Sequence, residues 1–426
     1  MKLLIVCQYF YPEQFRVSDV CFTLAASGHE VTVLTGLPNY PAGEIFDGYD
    51  WPVLKNRKDT FYVPHLDAYQ ENINGVRVLR IRLLPRKTGK KNLALNYFSF
   101  VLQASKTARA LAKDRSTDFD KILVVQYSPV TMAIPGILLK RKLKKPLLLY
   151  SFDLWPESIV SAGLPNHGPI YFFTLKLSQW IYRQADLILT SSKNFRKYFE
   201  NKLKFKGTIE YLPIYAEDLF QSAAPDISGL QDLSEPQDSP VPADAVVNLL
   251  FAGNIGEMQS METIINAADK LRVHPEICFH IVGDGSALER SKQLAFELKL
   301  SSIIFHGRHP LEDMPDFYAM ADAFLVTLKR DEFISYTLPG KVQSYMACGK
   351  PILAAIDGET ADVIQESGSG LCCPAEDAEG FAKIILHFVE EKEKRREYGA
   401  QASQYYNAHF SKDAFFSSLT GYLLSE

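Results

Sequence analysis

Residues 246–256, VVNLLFAGNIG, form a short apolar run that ends in glycines, and runs of this kind decide the class of fold. They recur along the chain with helix-like segments between them, which is typical of βαβ units on a parallel sheet. In the second half we predict further strands within ICFHIVGDG (277–285), SIIFHG (302–307), ADAFLVTLK (321–329), KPILAAI (350–356) and GLCCP (370–374).

The first half has the same rhythm. Strands are predicted within KLLIVCQYF (2–10), EVTVLTG (30–36), VRVLRIRLL (76–84), KILVVQY (121–127), PLLLYSFDLW (146–155), ADLILTSS (185–192) and TIEYLPI (208–214). Residues 221–245 break the rhythm with four prolines and five acids, which indicates a linker or an exposed loop.

A chain of 426 residues is too long for one ordinary core. We therefore predict an α/β protein with two Rossmann-like, doubly wound parallel-sheet domains that face an interdomain cleft. The predicted segments are an N-terminal domain over 1–215, an acidic, proline-rich linker or loop over 216–245, a C-terminal domain over 246–400, and a helical segment over 401–426 with the option of crossing back to the N-terminal domain.

Composition excludes several classes of protein. With 47% hydrophobic and 23% charged residues the chain is globular, neither disordered nor fibrous. Its six cysteines include no CxxC pair and no Cys/His cluster at metal spacing, so we expect a reduced, cytoplasmic setting and no metal site. The first apolar run is too short for a secretory signal and reads as a first strand. No stretch of 18 apolar residues occurs, so no span of a bilayer is expected.

Charge is distributed unevenly. Residues 1–210 carry 30 Lys+Arg against 17 Asp+Glu, a net charge of +13, and the totals of 46 and 50 leave 16 against 33, or −17, for the rest. A basic half suits nucleic acid, anionic lipid or a phosphorylated substrate. Nucleic acid is disfavoured because no DNA- or RNA-reading motif is present.

Two basic stretches suggest a membrane surface. Residues 80–100 hold six basic residues and no acid before an apolar, aromatic run, and residues 140–145 add five more. Cations beside amphipathic aromatics suit an anionic leaflet, so we expect peripheral association with the inner face of the plasma membrane. The alternative is a core helix with a solvated basic collar.

Glycine-bearing turns follow four consecutive predicted strands: FAGNIG (251–256), VGDG (282–285), FHGR (305–308) and TLPGK (337–341). Glycine lets backbone amides approach a phosphate, and a helix start adds partial positive charge. Singly these are ordinary βα turns, but together they favour a nucleotide site. None is a Walker loop or a GxGxxG fingerprint.

Several motifs in order resemble a known family. LPGKVQSYMACGKPIL (338–353), preceded by HGRHPLEDMPDFYAMADAFLVTL (306–328), is similar to the C-terminal domain of GT-B glycosyltransferases of the retaining family 4. QYFYPEQFR (8–16), HEVTVLTGLPNYPAGEIFDGY (29–49) and DLWPES (153–158) resemble its bacterial fucosaminyltransferase or capsule-polysaccharide subgroup. The resemblance spans nearly the whole chain.

The resemblance implies a nucleotide-sugar donor, commonly a UDP-sugar, in the C-terminal domain, with the acceptor in the N-terminal domain and neither metal nor cofactor. Charge that develops on the leaving diphosphate then needs hydrogen-bond donors aimed at it. We expect these from the amides near Leu338 and Gly340, the ammonium of Lys341, and Arg16 reaching from the first βα loop. The plain alternative for Lys341 is a solvated lysine in the first turn of a helix.

The family pattern also implies further donor contacts. Turns containing Gly253 and Gly283 border the nucleotide, Asp331 and Glu332 lie near the sugar unless they form a solvated loop, and Asn254 stands where many relatives carry a phosphate-binding arginine. The pattern's pair of glutamates is replaced by Tyr336 and Ser344, so the usual ribose and sugar contacts are in doubt. The remaining implied donor contacts are Asp284 and Arg308.

The acceptor side is expected at the end of the strand that leads into Asp153. A carboxylate there can orient the acceptor hydroxyl or accept its proton, and Trp155 offers a face to a sugar ring. The alternative is a capped helix, with Asp153 as its N-cap and Trp155 in the core. Phe152 takes the place of the histidine common in the family. The other expected acceptor contacts are Tyr9, Glu13 and Glu157.

These inferences describe a retaining glycosyltransferase that moves a sugar, expected to be an N-acetylated deoxyhexose, from a UDP-sugar to a lipid-linked or saccharide acceptor, such as a polyprenyl-linked glycan, in bacterial surface polysaccharide synthesis (capsule or O-antigen). The rival enzyme is a UDP-sugar 2-epimerase or hydrolase of the same fold. A non-catalytic GT-B partner subunit is the other alternative.

Overall fold

A computed structural model describes residues 1–41, 43–114, 118–161, 163–220 and 246–425. The chain divides into two units. The first comprises Met1–Ser191 and Phe195–Tyr211, and the second comprises Ser192–Asn194 and the chain from Leu212 onward. Most of the predicted linker, residues 221–245, lies outside the described residues. The C-terminal helices group with the second unit.

The first unit is built on a nine-stranded sheet with the order β3-β4-β5-β2-β1-β6-β7-β8-β9. Its strands are β1 (Lys2–Val6), β2 (Glu30–Gly36), β3 (Thr60–Val63), β4 (Ala68–Ile73), β5 (Val76–Ile81), β6 (Lys121–Gln126), β7 (Leu147–Ser151), β8 (Leu187–Thr190) and β9 (Thr208–Tyr211). Its helices are α1 (Arg16–Ala26), α2 (Trp51–Leu54), α3 (Lys90–Leu111), α4 (Ile134–Leu143), α5 (Glu157–Ser161), α6 (Pro169–Tyr182) and α7 (Phe195–Asn201).

The second unit is built on a six-stranded parallel sheet with the order β12-β11-β10-β13-β14-β15. Its strands are β10 (Val247–Ala252), β11 (Ile277–Val282), β12 (Ile303–Gly307), β13 (Ala323–Thr327), β14 (Ile352–Ala355) and β15 (Gly370–Cys373). Its helices are α8 (Met261–Lys270), α9 (Leu288–Glu297), α10 (Met314–Met320), α11 (Gly340–Ala347), α12 (Glu359–Ser367), α13 (Ala378–Glu390), α14 (Lys392–His409) and α15 (Lys412–Leu424).

The central strand β10 shows why these apolar runs become buried strands. Leu249 and Phe251 pack into one hydrophobic cluster, while Leu250 and Ala252 pack into another. Successive side chains of a strand point to opposite faces, so both faces of this sheet are covered. The continuous apolar run in the sequence is the signature of that double burial.

One edge of the first sheet departs from the parallel pattern. Strands β3 and β4 pair antiparallel, and β4 pairs antiparallel with β5. This edge buries an ion pair between Arg80 on β5 and Glu71 on β4, both under 4% exposed. Arg80 was counted among the six cations of the basic stretch 80–100, and its burial removes it from any docking surface.

In both sheets the strand order reverses next to the first strand of the unit. In the first unit the chain winds outward from β1 and β6, and in the second from β10 and β13. Ligands of open parallel sheets bind beyond the carboxyl ends of the strands at such a switch point. The loops that follow β1, β6, β10 and β13 are therefore where the sites are sought.

Candidate active site

Asp153 follows β7 at the carboxyl edge of the first sheet. Its half-buried carboxylate accepts a hydrogen bond from the hydroxyl of Ser128, which follows β6. Burial raises the pKa of Asp153, and the bond from Ser128 offsets part of that rise. A carboxylate held by one hydroxyl keeps lone pairs for a substrate hydroxyl. Helix α5 begins at Glu157, four residues after Asp153. Asp153 therefore does not occupy the N-cap position of that helix.

Trp155 and Glu157 support the loop that carries Asp153. Trp155 is 8% exposed, and its indole N–H donates to Ser128 Oγ at 3.0 Å. Glu157 is 4% exposed, and its Oε1 accepts hydrogen bonds from the hydroxyls of Tyr171 at 2.6 Å and Tyr198 at 2.9 Å. Both side chains point into the interior, and their predicted contact with an acceptor stays a prediction.

Glu13 joins two loops at the same sheet edge. Its carboxylate accepts hydrogen bonds from the amides of Phe10 at 3.1 Å, Asn39 at 2.9 Å and Tyr40 at 2.8 Å. Burial raises the pKa of Glu13 to about 7 against the effect of these three bonds. The loops after β1 and β2 are thus fixed to each other by one buried side chain. Glu13 is only 3% exposed, and its predicted contact with an acceptor stays a prediction.

Tyr9 and Arg16 flank that loop. Tyr9 is 2% exposed, stacks on Phe15 at a ring distance of 4.9 Å, and accepts a hydrogen bond from Arg86 at 3.4 Å. Arg16 is the half-buried first residue of α1. Its charge lowers the pKa of Tyr127, which burial raises more strongly. Arg16 therefore lies close to the loop after β6 that also carries Ser128.

The glycine turns of the second unit pack tightly against each other. Gly283 has a φ of 142°, and a Cβ added there would lie 1.8 Å from the carbonyl oxygen of Gly253. Gly253 N–H donates to Val282 at 2.9 Å, and Gly283 N–H donates to Gly307 at 2.7 Å. Packing of the strand ends by itself requires glycine at 283, so this glycine is not by itself a sign of a ligand.

Lys341 is a cation beside those turns. Its Nζ lies 3.8 Å from the centre of the Phe251 ring, donates to Gln259 Oε1 at 3.1 Å, and would lie 3.5 Å from a Cβ on Gly253. Burial lowers the pKa of Lys341 to about 7. Among the residues that the structure describes, no carboxylate forms an ion pair with it. A desolvated cation without a counter-ion, in the first turn of α11, is suited to an incoming anion.

The two backbone amides that were predicted to bind phosphate, those of Leu338 and Gly340, differ in whether they already have a hydrogen-bond partner. The amide of Leu338 donates to Ser192 Oγ at 2.8 Å, and Leu338 is 4% exposed. That amide is already used within the second unit. Gly340 is exposed and begins α11, where the first amides of a helix lack intrahelical partners.

Both positions of the missing glutamates carry a hydroxyl that bonds to a carboxylate from elsewhere. Ser344 Oγ donates to Glu217 Oε2 at 3.2 Å. Tyr336 OH donates to Glu332 Oε1 at 3.0 Å. Carboxylates therefore lie next to both positions, although the sequence pattern places none there.

The other predicted donor contacts lie on exposed loops. Asp331 Oδ1 accepts from the amides of Phe333 at 2.9 Å and Ile334 at 3.0 Å, so it caps a turn. Asp284 Oδ1 accepts from the amide of Gly285 at 2.7 Å. The remaining two, Asn254 and Arg308, are exposed at the ends of β10 and β12.

Sequence reasoning missed Ser128, Gln259 and Glu217. Ser128 and Glu217 lie in loops, and Gln259 ends a 3-10 turn. The partner of each is distant in the chain: 25 residues for Ser128, 82 for Gln259 and 127 for Glu217. The available signal was position alone, since Ser128 directly follows a predicted strand at the switch point. Across the described ranges, no group of three or more His, Cys, Asp or Glu side chains is arranged to hold a metal ion.

Comparison with solved structures defines the class of protein. The chain aligns over 99% of its length with 98% of the sucrose-phosphate synthase of Thermosynechococcus elongatus, at a TM-score of 0.72 and 17% identity. It also aligns over the full length of both chains with Anabaena HepE, solved in complex with UDP and glucose, at a TM-score of 0.70 and 16% identity. The fold is GT-B, and with the sequence matches that follow, the chain is a glycosyltransferase.

Sequence comparison narrows that class. Residues 14–214 match the glycosyl transferase 4-like domain, and residues 239–405 match glycosyl transferases group 1. Over 345 residues the chain is 26% identical to the probable glycosyltransferase WbjE of Pseudomonas aeruginosa, with 80% of each chain covered. Over 362 residues it is 26% identical to the putative colanic acid biosynthesis glycosyl transferase WcaI of Escherichia coli K12, with 82% of each covered.

Proposed function

We propose that this glycosyltransferase takes a sugar from UDP and transfers it, with retained anomeric configuration, to a lipid-linked saccharide during synthesis of a bacterial surface polysaccharide. The observation that carries the proposal is Lys341, a desolvated cation at the start of α11 beside the glycine turns of β10 and β11. The relation to WcaI supports the polysaccharide context, and the complex of HepE with UDP supports the base.

On the donor side, the second unit neutralises the leaving diphosphate. Lys341 donates to a phosphate oxygen, and the exposed amide at Gly340 adds a second donor. Donors aimed at the developing charge lower the barrier, and in this proposal they act without a metal ion. The carboxylate of Glu217, held by Ser344, accepts hydrogen bonds from the ribose hydroxyls. We propose an N-acetylated deoxyhexose as the sugar.

On the acceptor side, Asp153 orients the attacking hydroxyl. Its carboxylate is fixed by Ser128, which in turn accepts from Trp155. In the retaining reaction the hydroxyl attacks from the face of the departing phosphate. The new glycosidic bond forms as the anomeric bond to phosphate breaks, and the hydroxyl proton passes to the departing phosphate oxygen. Asp153 is then an orienting group whose loss slows turnover.

A lipid-linked acceptor requires the enzyme to work at a membrane surface. Among the helices that the structure describes, none is both long enough and apolar enough to cross a bilayer. We therefore propose peripheral association with the inner face of the plasma membrane. The basic stretches at 80–100 and 140–145 support this proposal through their charge.

A calorimetric screen of nucleotides and nucleotide sugars tests the proposal. We expect UDP and one UDP-sugar to bind, and Lys341→Met to weaken UDP binding by roughly tenfold or more, because a charge-assisted hydrogen bond is lost. Incubation of the identified donor alone, followed by product analysis, separates the reaction types. Rapid epimerisation or hydrolysis without acceptor favours the rival enzyme, and absence of all nucleotide binding favours a non-catalytic subunit.

A further inference from the structure

Helix α6 exposes large apolar side chains to solvent. Ile170, Phe172 and Phe173 are 67%, 59% and 69% exposed. Its buried residues are Tyr171, Ser178, Gln179, Ile181 and Tyr182. The helix therefore carries large apolar side chains on its exposed side as well as on its buried side, whereas a surface helix ordinarily exposes polar residues. Three neighbouring large apolar side chains on one exposed helix mark an interaction surface.

One cation of each basic stretch lies close to α6 or to the segment that precedes it. Near its C-terminal end, the guanidinium of Arg141 lies 5.6 Å from the centre of the Trp180 ring, and it donates to Gln184 at 2.8 Å. Nζ of Lys90 would lie 3.4 Å from a Cβ on Gly163, in the segment between α5 and α6. A cation therefore lies at the C-terminal end of α6, and another lies at the segment that precedes the helix.

Helix α3 adds a second apolar face beside the first. Leu95, Phe98 and Leu102 are 42%, 62% and 53% exposed. Both α3 and α6 pack against the same 3-10 turn, Val130–Ala133. Neither helix contains an Asp or a Glu, whereas α3 carries four basic residues and α6 carries Lys176.

We propose that the exposed faces of α6 and α3 form a docking surface for an anionic lipid bilayer. The aromatic side chains enter the head-group region, and the cations meet lipid phosphates. Two helices that contain no acidic residue and expose aromatic rings and cations complement an anionic membrane in charge and in polarity. This inference rests on the proposed function, since the lipid-linked acceptor is what brings the enzyme to the membrane.

Vesicle flotation of the full chain tests the surface. The probes are vesicles of phosphatidylcholine, alone or mixed with phosphatidylglycerol. We expect binding only to the mixed vesicles, and a loss on the order of tenfold for the double variant F172S/F173S. The matched control is Phe296→Ser in the second unit, where Phe296 is 79% exposed, and its binding stays at the wild-type level.

Two further measurements test the contribution of a cation to vesicle binding and the insertion of the surface into the bilayer. Lys176→Glu is expected to lower binding to the mixed vesicles by at least about fivefold, since each cation near the leaflet contributes about that factor. Trp180, which is 40% exposed, reports insertion through a blue shift of its fluorescence with mixed vesicles. The shift is absent in Trp180→Phe.

Two results would overturn the inference. One is equal vesicle binding by wild type and F172S/F173S, or no binding by either. The other is a dimer in lipid-free solution that F172S/F173S dissociates, because the surface is then a contact between copies of the chain. UDP affinity, measured on the same variants, is expected to be unchanged. Failure of vesicle binding with intact UDP binding refutes the docking surface alone, whereas loss of UDP binding in the wild type refutes the proposed function.

Discussion

Lys341 is the residue at which protonation and ligand binding are most directly coupled. Burial lowers its pKa to about 7, and an anion beside Nζ raises the pKa again. At pH 8 the free side chain is mostly neutral and the complex is charged, so UDP binding takes up roughly 0.9 proton. Calorimetric titration at pH 8 in two buffers with different ionisation enthalpies measures this uptake.

The control for that measurement is another lysine of the same unit. Lys329 lies 3.9 Å from Glu257 and is 31% exposed. We expect Lys329→Met to keep the proton uptake and Lys341→Met to lose it. Equal uptake by both variants would assign the proton to the nucleotide or to another side chain.

Asp153 is expected to affect turnover and not donor affinity. Asp153→Asn keeps the shape of the side chain but weakens its hold on an acceptor hydroxyl, so kcat should fall by roughly a hundredfold or more. The Kd for UDP should change by less than about twofold, because Asp153 belongs to the acceptor side of the proposal. Steady-state rates and calorimetry on the same preparation measure the two effects. Asp118→Asn, at a side chain that is 77% exposed, is the control; unchanged turnover in Asp153→Asn removes this residue from the mechanism.

Glu217 is expected to recognise the ribose. Glu217→Gln removes the charge next to Ser344 while keeping its size, and we expect UDP affinity to fall by roughly tenfold. The variant should also lose the preference of the wild type for UDP over 2′-deoxy-UDP, which competition calorimetry measures. A variant that still discriminates between the two nucleotides would place ribose recognition elsewhere.

Residue-scale features can be predicted from the sequence when they depend on a few neighbouring residues, and cannot when they depend on distant ones. The GKVQS stretch predicts a helix start with a lysine in its first turn, and the structure has both. The sequence does not show that the amide of Leu338 is already bonded to Ser192, because that contact joins residues 146 positions apart. The same holds for the carboxylate of Glu217 at Ser344, which lies 127 positions away, whereas Glu332 and Tyr336 are only four residues apart. Side chains brought together by the fold cannot be found from spacing along the chain.

At the scale of elements, strands β10, β11 and β12 share a buried pair of imidazoles. His280 Nδ1 lies 2.9 Å from His306 Nε2, and His280 Nε2 lies 3.1 Å from Asn248 Oδ1. Burial, and then the neighbouring His306, lower the pKa of His280 to about 3. These strands are therefore held together by a histidine that stays neutral in the folded state.

This pair predicts acid sensitivity of the second unit. Below pH 6.5 the unfolded chain binds a proton that folded His280 does not bind until about pH 3. Stability is therefore lost as the pH falls, by about 1.4 kcal/mol per pH unit. His280→Gln should reduce that slope, and His274→Gln, at a partly exposed histidine, should not. Calorimetric unfolding between pH 7 and pH 4 measures the slopes; identical slopes in all three proteins would contradict the assignment.

Predictions for whole elements succeeded where burial left a pattern and failed where it did not. All the strands predicted from apolar runs are present. Strands β3 and β4 were both missed: the residues of β3, TFYV, are half-buried or exposed, and those of β4, AYQENI, include three consecutive polar residues, so neither forms an apolar run. Helix α6 was not predicted as a surface, because its exposed phenylalanines and a buried core look alike in the sequence. Apolar content indicates that a segment is buried against something, but not against what.

At the scale of the whole molecule, the two units have separate cores and different optical probes. The strands of the second unit are enclosed by two clusters of their own residues and by neighbouring segments of the same unit. All three tryptophans of the chain, Trp51, Trp155 and Trp180, lie in the first unit. Tryptophan fluorescence therefore follows the unfolding of the first unit, while calorimetry follows both.

This division predicts a selective effect of the nucleotide. A ligand that binds only a folded unit stabilises that unit, by about 2.7 kcal/mol at a hundred times its Kd. For a unit of this size the transition should rise by about 5–10 °C. We expect UDP to raise one of two calorimetric transitions by that amount and to leave the midpoint of tryptophan fluorescence unchanged, because the proposed donor site lies in the second unit. Lys341→Met should reduce the calorimetric shift. A rise of the fluorescence midpoint while the calorimetric transition of the second unit stays unchanged would mean that UDP binds the first unit, and would contradict the assignment of the donor to the second unit.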